Sequence, residues 1–484
     1  MKRLLTIINI AILMLILGCQ ADSETGPIIL DFYYLNDLHG AITASDSSMG
    51  LEGIAALLDD ERAMGKNVIF LAGGDMLQGS LISNYFYGLP TIESLDVMGL
   101  DAFVVGNHEF DWGLEYVTQY YDGTHAYQAK HPFLAANIVE KRTQSIPEGI
   151  QPYLILEVAG VKIGIVGTIG YGLESSILTP MVEDYEFFNP IFMIEYFAKH
   201  LRNSENVDLV VSLNHDRGLS LNPQLLALEH DASIDAIFNG HSHRVYADII
   251  AGVPVIQSGG YGSHLGHVQI TLENNIVTSV TAQNLTHFQD ARLMHSHPRV
   301  GDIIETYFLE IDHLYTPLLN TERYQTREEL THFMSRLMLK ATGADFAFHN
   351  LGGTRSALPA LESLSKARMT DVFPFNNRVI TTTLTTEQIN QLIQFNPYYA
   401  STGMLAMQEG TYTVALHDYI FYHPANGFLE DDSTVIHPYT IVDLVYAELD
   451  LRHHMYATFN VFDTILIYED LLTSEIPGVS DEKD

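Results

Sequence analysis

Apolar residues in this chain gather into short unbroken runs, and the positions that end those runs are polar in a recurring way. Phe32-Tyr33-Tyr34-Leu35 leads to Asn36-Asp37-Leu38-His39-Gly40, and Val68-Ile69-Phe70-Leu71-Ala72 leads to Gly73-Gly74-Asp75. Ala102-Phe103-Val104-Val105 leads to Gly106-Asn107-His108-Glu109-Phe110-Asp111. Leu209-Val210-Val211-Ser212-Leu213 leads to Asn214-His215, and Ile234 to Phe238 leads to Gly240-His241-Ser242-His243. Runs of this length, rich in Val and Ile and bounded by Gly or Asn, predict strands buried on both faces. Side chains just beyond the carboxyl ends of neighbouring strands converge on one edge of a sheet in open α/β folds, so the clusters are expected to meet there. A single Gly/Asn/Asp cluster is an ordinary turn; five that also carry His and Asp point to one site.

The pattern continues beyond these runs. Val161 to Gly167 predicts another buried strand, and Val253 to Ser258 one that enters a glycine-rich turn at Gly259-Gly260-Tyr261-Gly262. Ile303, Ile304, Phe308, Ile311 and Leu314 recur at helical spacing, which predicts a helix across 296–318 joining two domains. A first domain then covers 28–295 and a second 319–484, a division consistent with 484 residues. In the second domain Ala344 to Phe348 predicts a strand, followed by a glycine turn, Asn350-Leu351-Gly352-Gly353-Thr354-Arg355, that presents an arginine. Val372-Phe373-Pro374-Phe375-Asn376-Asn377 is an apolar segment with a Pro break, and Pro477 to Asp484 an acidic tail.

The first 18 residues are a separate module. Lys2-Arg3 precede a run from Leu4 to Leu17, apolar apart from Thr6 and Asn9, that is too short for a comfortable membrane span. Ile16-Leu17-Gly18-Cys19 resembles a bacterial lipobox. The resemblance implies a signal peptide over 1–18, cleavage before Cys19, a lipid on its sulfur, and a tether over 19–27. The expectation is therefore an exported lipoprotein of the bacterial envelope, periplasmic or on the outer membrane or cell surface, held to the membrane by that anchor. Cys19 is the only cysteine, so no internal disulfide can form. A net charge of −36 argues against binding nucleic acid polymers or anionic lipid by general electrostatics. It also repels anionic substrates, so a phosphate site here needs locally positive metals.

Asp37, His39, Asp75, Asn107, His215, His241 and His243 are oxygen and imidazole donors suited to hard or borderline cations. They suffice for two metal sites if one carboxylate is shared. Together the clusters resemble the calcineurin-like metallophosphatase domain of the bacterial 5'-nucleotidase and UDP-sugar hydrolase family, and the second domain resembles the C-terminal domain of those proteins. The resemblance covers essentially everything after the lipobox, with Gly106 to Asp111 and Gly240 to His243 its most specific parts.

It implies a four-layer α/β/β/α sandwich, a linker helix and a smaller mixed α/β domain. It assigns one metal to Asp37, His39, Asp75 and His243, and the other to Asp75, Asn107, His215 and His241. The two divalent ions could be Zn, Mn, Fe or Co. His108 would be the catalytic histidine and Asp111 the carboxylate that orients it. Arg355, Tyr419 and Asn426 would bind substrate, with Leu405 at the first of two base-stacking positions and Tyr419 at the second. The substrate implied is a small phosphoester such as a nucleoside monophosphate, a UDP-sugar or a cyclic nucleotide; no protein partner is expected. Alternatives are the same chemistry on a non-nucleotide phosphate or sulfur ester, or an inactive metal-binding surface lipoprotein. The His108–Asp111 pair argues against the last. This chain departs from the family's Asn-Gly-Gly-Gly-Ile-Arg at 350–355, and His215-Asp216-Arg217-Gly218 is one residue longer than the common His-x-Gly. Glu109 is expected to brace its loop and Trp112 to pack beneath it. His264, His267, His295, His297, His453 and His454 are expected to be surface or packing residues.

Overall fold

The computed structural model describes residues 26–45, 47–402 and 407–467. The lipobox, Leu405 and the acidic tail fall outside these residues. Two sheets build the first domain. In the first, β1 (Ile28–Leu35), β2 (Asn67–Ala72) and β3 (Ala102–Val104) lie side by side and parallel. Leu265–Glu273 runs antiparallel along the outer side of β1. The second sheet has β4 (Leu209–His215) and β5 (Ala236–Asn239) parallel at its centre.

Alternation along each strand fixes the layering. Phe32 and Tyr34 of β1, Ile69 and Leu71 of β2, and Val104 of β3 face the other sheet, where they meet Val211 and Leu213 of β4 and Phe238 of β5. Tyr33, Leu35, Phe70 and Phe103 point the opposite way, under Leu51, Ile54, Leu58, Ile92 and Leu95 from helices Gly50–Ala63 and Leu89–Val97. Val166, Val210 and Ile237 of the second sheet lie under Ile194, Ala198 and Leu201 of helix Pro190–Asn203. The result is four layers, helix, sheet, sheet and helix. Strands β1 to β5 are covered on both faces, which is why each is an unbroken apolar run. One expectation is corrected: the clusters do not share the edge of one sheet. Asp37, Asp75 and Asn107 follow strands of the first sheet, His215 ends β4 and His241 follows β5 in the second, and the face-to-face sandwich brings the two edges together.

The connecting helix, α1, is Pro298–Ile311, with His297 accepting from the Val300 N–H at its start. It is shorter than 296–318 because a single tight turn, Asp312–Tyr315, ends it. Ile304, Tyr307 and Phe308 pack on the helical layer of the first domain, so α1 belongs to that layer. The second domain has a five-stranded sheet centred on Phe346–Phe348, Thr411–His417 and Arg378–Thr385. One face carries helices Arg327–Thr342 and Ile441–Met455, and the other Thr386–Phe395. Arg452, fully buried, is neutralised by Glu448 at 2.7 Å and Asp463 at 3.0 Å. Among the described residues no helix is long and apolar enough to cross a membrane.

Candidate metal centre and active site

The loops that leave the strands are tied to one another before any side chain is considered. Asp37 N–H donates to the Gly74 carbonyl at 3.0 Å, His39 N–H to the Asp75 carbonyl at 2.9 Å, and Tyr261 N–H to the Asp37 carbonyl at 2.7 Å. Asp37, His39, Asp75, His241 and His243 all have left-handed backbones, with φ of 52°, 50°, 52°, 67° and 52°. Such conformations cost on the order of 1–3 kcal/mol each and persist where surrounding structure over-determines them. Here they turn the side chains inward at the sheet edge. Gly74 lies so close to His215 that a Cβ would come within 2.6 Å of its Nδ1.

Two groups of donors converge. In one, His39 and His243 bring their Nε2 atoms to 3.2 Å, with Asp37 Oδ1 at 3.6 Å from His243 Nε2. In the other, His215 Nε2 is 3.1 Å from Asp75 Oδ2 and 3.2 Å from Asn107 Oδ1, while His241 Nδ1 is 2.9 Å from that same oxygen. His39 Nδ1 donates to the Gln78 carbonyl at 2.9 Å, and His215 Nδ1 to the Gly73 carbonyl at 2.8 Å. Each neutral ring has one N–H, so in both the inward Nε2 is a bare lone pair. Lone pairs of two imidazoles, two carboxylates and an amide oxygen then converge on one small region. That arrangement favours positive charge at its centre, and the donor set fits a pair of borderline divalent cations.

The electrostatics agree. Burial and the neighbouring Asp75 push Asp37 up to about 7, against the pull of His215 and Asn36. Burial opposes charge on His215, yet Asp75 and Asp37 outweigh it and push that ring up to about 10. Burial, with cationic neighbours, takes His241 down to about 3 and His243 to about 4. Asp75 is held at the hub of the cluster: Oδ1 accepts from the His108 N–H at 2.8 Å, and its own N–H donates to Glu109 Oε2 at 2.8 Å. Glu109, fully buried, also accepts from the N–H groups of Met76 at 2.9 Å and Gly106 at 2.7 Å, clamping the β2 and β3 loops together.

His108 donates from Nδ1 to Asp111 Oδ2 at 2.7 Å, leaving Nε2 as its free edge. Burial disfavours its charge, but Asp111 and Asp75 overcome this and hold it above its ordinary value. His108 and Asp111 sit on the wall of a cavity of about 590 Å³ between the two domains. Arg355 and Tyr419 line it as well. Arg355 donates to the Tyr261 hydroxyl at 3.3 Å, and the Tyr419 hydroxyl donates to the Ser175 carbonyl at 3.4 Å. Asn426 is not among the residues that line this cavity; its amide donates to the Ile420 carbonyl at 2.7 Å inside its own turn. Trp112, expected to pack under the Asp111 loop, is half-buried against the first-domain core and edge-on to Tyr87, and it also lines the cavity.

Other wall residues carry little signal in the sequence. Phe375 stacks against His108 at 5.7 Å between ring centres, and Gln78 Nε2 donates to the Pro374 carbonyl at 3.0 Å. The Pro break at 374 is the only local sign of this segment, and it does not reveal what the segment touches. Asn350 and His417 are a second such pair, joined through Nε2 and Oδ1 at 3.0 Å.

Comparison with known proteins agrees with this architecture. A family model for calcineurin-like phosphoesterases matches residues 30–245, and one for the 5'-nucleotidase C-terminal domain matches 311–410. The chain belongs to the 5'-nucleotidase family. It is 28% identical to the cell wall protein Lmo0130 of Listeria monocytogenes over 295 residues, 51% of this chain and 37% of that one. It is 26% identical to protein UshA of Yersinia enterocolitica over 406 residues, 72% of each chain. The crystal structure of a 5'-nucleotidase precursor from Thermus thermophilus shares the fold, with a TM-score of 0.74 at 18% identity over 90% of this chain and 97% of that one. For several curated relatives the match spans only 27% to 48% of their length.

Proposed function

We propose that this member of the family is a phosphohydrolase with a binuclear metal centre that acts on nucleotides or nucleotide esters. The observation that carries this reading is the His108–Asp111 pair, bonded at 2.7 Å and exposed to the cavity beside the Asp75 cluster. A pure metal binder has no use for an oriented proton donor there. Asp37, His39, Asp75 and His243 would hold one cation, and Asp75, Asn107, His215 and His241 the other. When bound, such ions supply Lewis acidity and a water nucleophile at neutral pH. The chain's residues do the rest. Water oxygen bonds to phosphorus as the bond to the leaving oxygen breaks, and His108 gives that oxygen its Nε2 proton. Asp111 keeps the ring turned and favours its protonated form. Phe375 covers the outer face of His108 and limits water around it. Arg355 offers a forked donor to phosphate oxygens, and Tyr419 a ring on which a base can stack.

The test is phosphate release by metal-reconstituted protein from AMP, UDP-glucose, 2',3'-cyclic AMP and p-nitrophenyl phosphate. Turnover of a nucleotide that is lost in His108→Ala supports the reading. Failure on all four esters rejects it. A second reading, a non-nucleotide phosphate or sulfur ester, is favoured by the amide of Asn426 being spent on Ile420; turnover of p-nitrophenyl phosphate with no nucleotide turned over would select it. The anchor at Cys19 belongs to the same proposal. Palmitate labelling that persists in Cys19→Ser would exclude it.

A further inference from the structure

We propose that Arg217 is a further contact for the anion at the metal centre, on the side opposite Arg355. The proposal rests on the phosphohydrolase reading. His215-Asp216-Arg217-Gly218 is one residue longer than a tight His-x-Gly turn. The turn is closed by its other members: Asp216 Oδ1 accepts from the Gly218 N–H at 2.7 Å, and the Asp216 carbonyl accepts from the Gly240 N–H at 3.2 Å. The extra residue is therefore Arg217, whose side chain is exposed and whose guanidinium lies 3.4 Å from His241 Nε2.

Among the described residues Arg217 makes no ion pair, although the chain carries 60 acidic and 24 basic residues. The adjacent carboxylate, Asp216, is engaged by the Gly218 N–H. Its contact with His241 is also conditional. The ring turns Nδ1 toward Asn107 Oδ1, at 2.9 Å, so Nδ1 is the atom on the cluster side. A neutral imidazole that offers Nδ1 to a cation carries its single proton on Nε2. Nε2–H cannot accept from a guanidinium, so Arg217 is then left with its donors free beside the cluster.

The placement complements Arg355. That residue bonds Tyr261, whose ring packs against His39 and His243, and so stands by the Asp37 half. Arg217 stands by the Asn107–His241 half. A tetrahedral anion at the cluster has more oxygens than one guanidinium can serve, and Arg is the side chain whose planar fork matches phosphate oxygens. In so acidic a chain, a second cation at this rim opposes the repulsion an incoming anion would meet.

The experiment measures inorganic phosphate binding by calorimetry to metal-reconstituted wild type, Arg217→Met, Arg217→Lys and Arg142→Met, with elemental analysis of each. Arg142 is a surface residue of the same domain and controls for net charge. Arg217→Met is expected to weaken phosphate binding about tenfold or more, the scale of a lost charged hydrogen bond. Lys should restore part of it, Arg142→Met should match wild type, and all should keep the wild-type metal content. Phosphate affinity within twofold of wild type in Arg217→Met would overturn the proposal. So would loss of metal alongside phosphate, which would make Arg217 a brace for His241. Wild-type protein that binds metals but no phosphate would reject the phosphohydrolase reading itself, and that failure is visible without any variant.

Discussion

Gly106→Ala isolates the geometry of the metal centre in one added methyl group. Gly106 follows β3 and is not in the left-handed region, so its backbone accepts alanine without strain. The obstacle is space. A Cβ would press into Asp75 Oδ1 and lie 2.6 Å from Asp75 N and 2.9 Å from Glu109 Oε2. Comfortable contacts begin at about 3.5 Å, so the β2 and β3 loops must separate by roughly 1 Å. Neither neighbour can swing aside cheaply, because Asp75 is bonded to His108 N–H and to Glu109, and Glu109 is fully buried. Overpacking of this kind costs about 1–3 kcal/mol. At about 2–4 °C per kcal/mol for a domain of this size, the melting temperature should fall by about 2–12 °C. The functional loss should be larger, because a 1 Å displacement of a positioned group can cost about 10²-fold. Scanning fluorimetry, elemental analysis and p-nitrophenyl phosphate turnover read the three quantities. A variant with wild-type metal content and wild-type turnover would refute the claim that Asp75 is held at the hub of the cluster.

Three further outcomes are expected. His108→Ala should lower turnover by about 10²–10⁴-fold with metal content unchanged; loss of metal as well would remove it from the proton-donor role. Tyr419→Ala should raise the Michaelis constant for nucleotides more than that for p-nitrophenyl phosphate, and equal effects would exclude it from a base pocket. His417 is buried against His349 and its value is taken down to about 3 by burial. A folded-state value below the ordinary 6.5 means the unfolded chain binds the extra proton first, so stability is full above about pH 6.5 and declines toward pH 3. In urea melts His417→Leu should show a shallower loss over that window, by up to one proton, and an unchanged slope would contradict the assignment.

Strands β1 to β5 and the loops after them were legible because these strands are covered on both faces, and burial on both faces writes itself as an unbroken apolar run. Asp37, Asp75, Asn107, His215 and His241 announced themselves by ending such runs. Glu109 was also readable as a brace, since a carboxylate inside a ligand loop has backbone donors within reach. Other residues left no local mark. Phe375 and Gln78 act through partners more than 250 positions away, Phe375 on His108 and Gln78 on Pro374. The directions in which Trp112 and Asn426 turn left no local mark either: being near a motif does not decide which way a side chain points.

Periodicity and residue type, both local properties, therefore determined which segments are strands, which side chains can bind cations and which histidine has a carboxylate three residues on. Whether one sheet or two supplies the site, which lone pairs face inward, and what closes the cavity were decided only when the two sheets stacked and the second domain packed against them. Those are contacts between distant segments, and burial energy selects them after the local elements have formed.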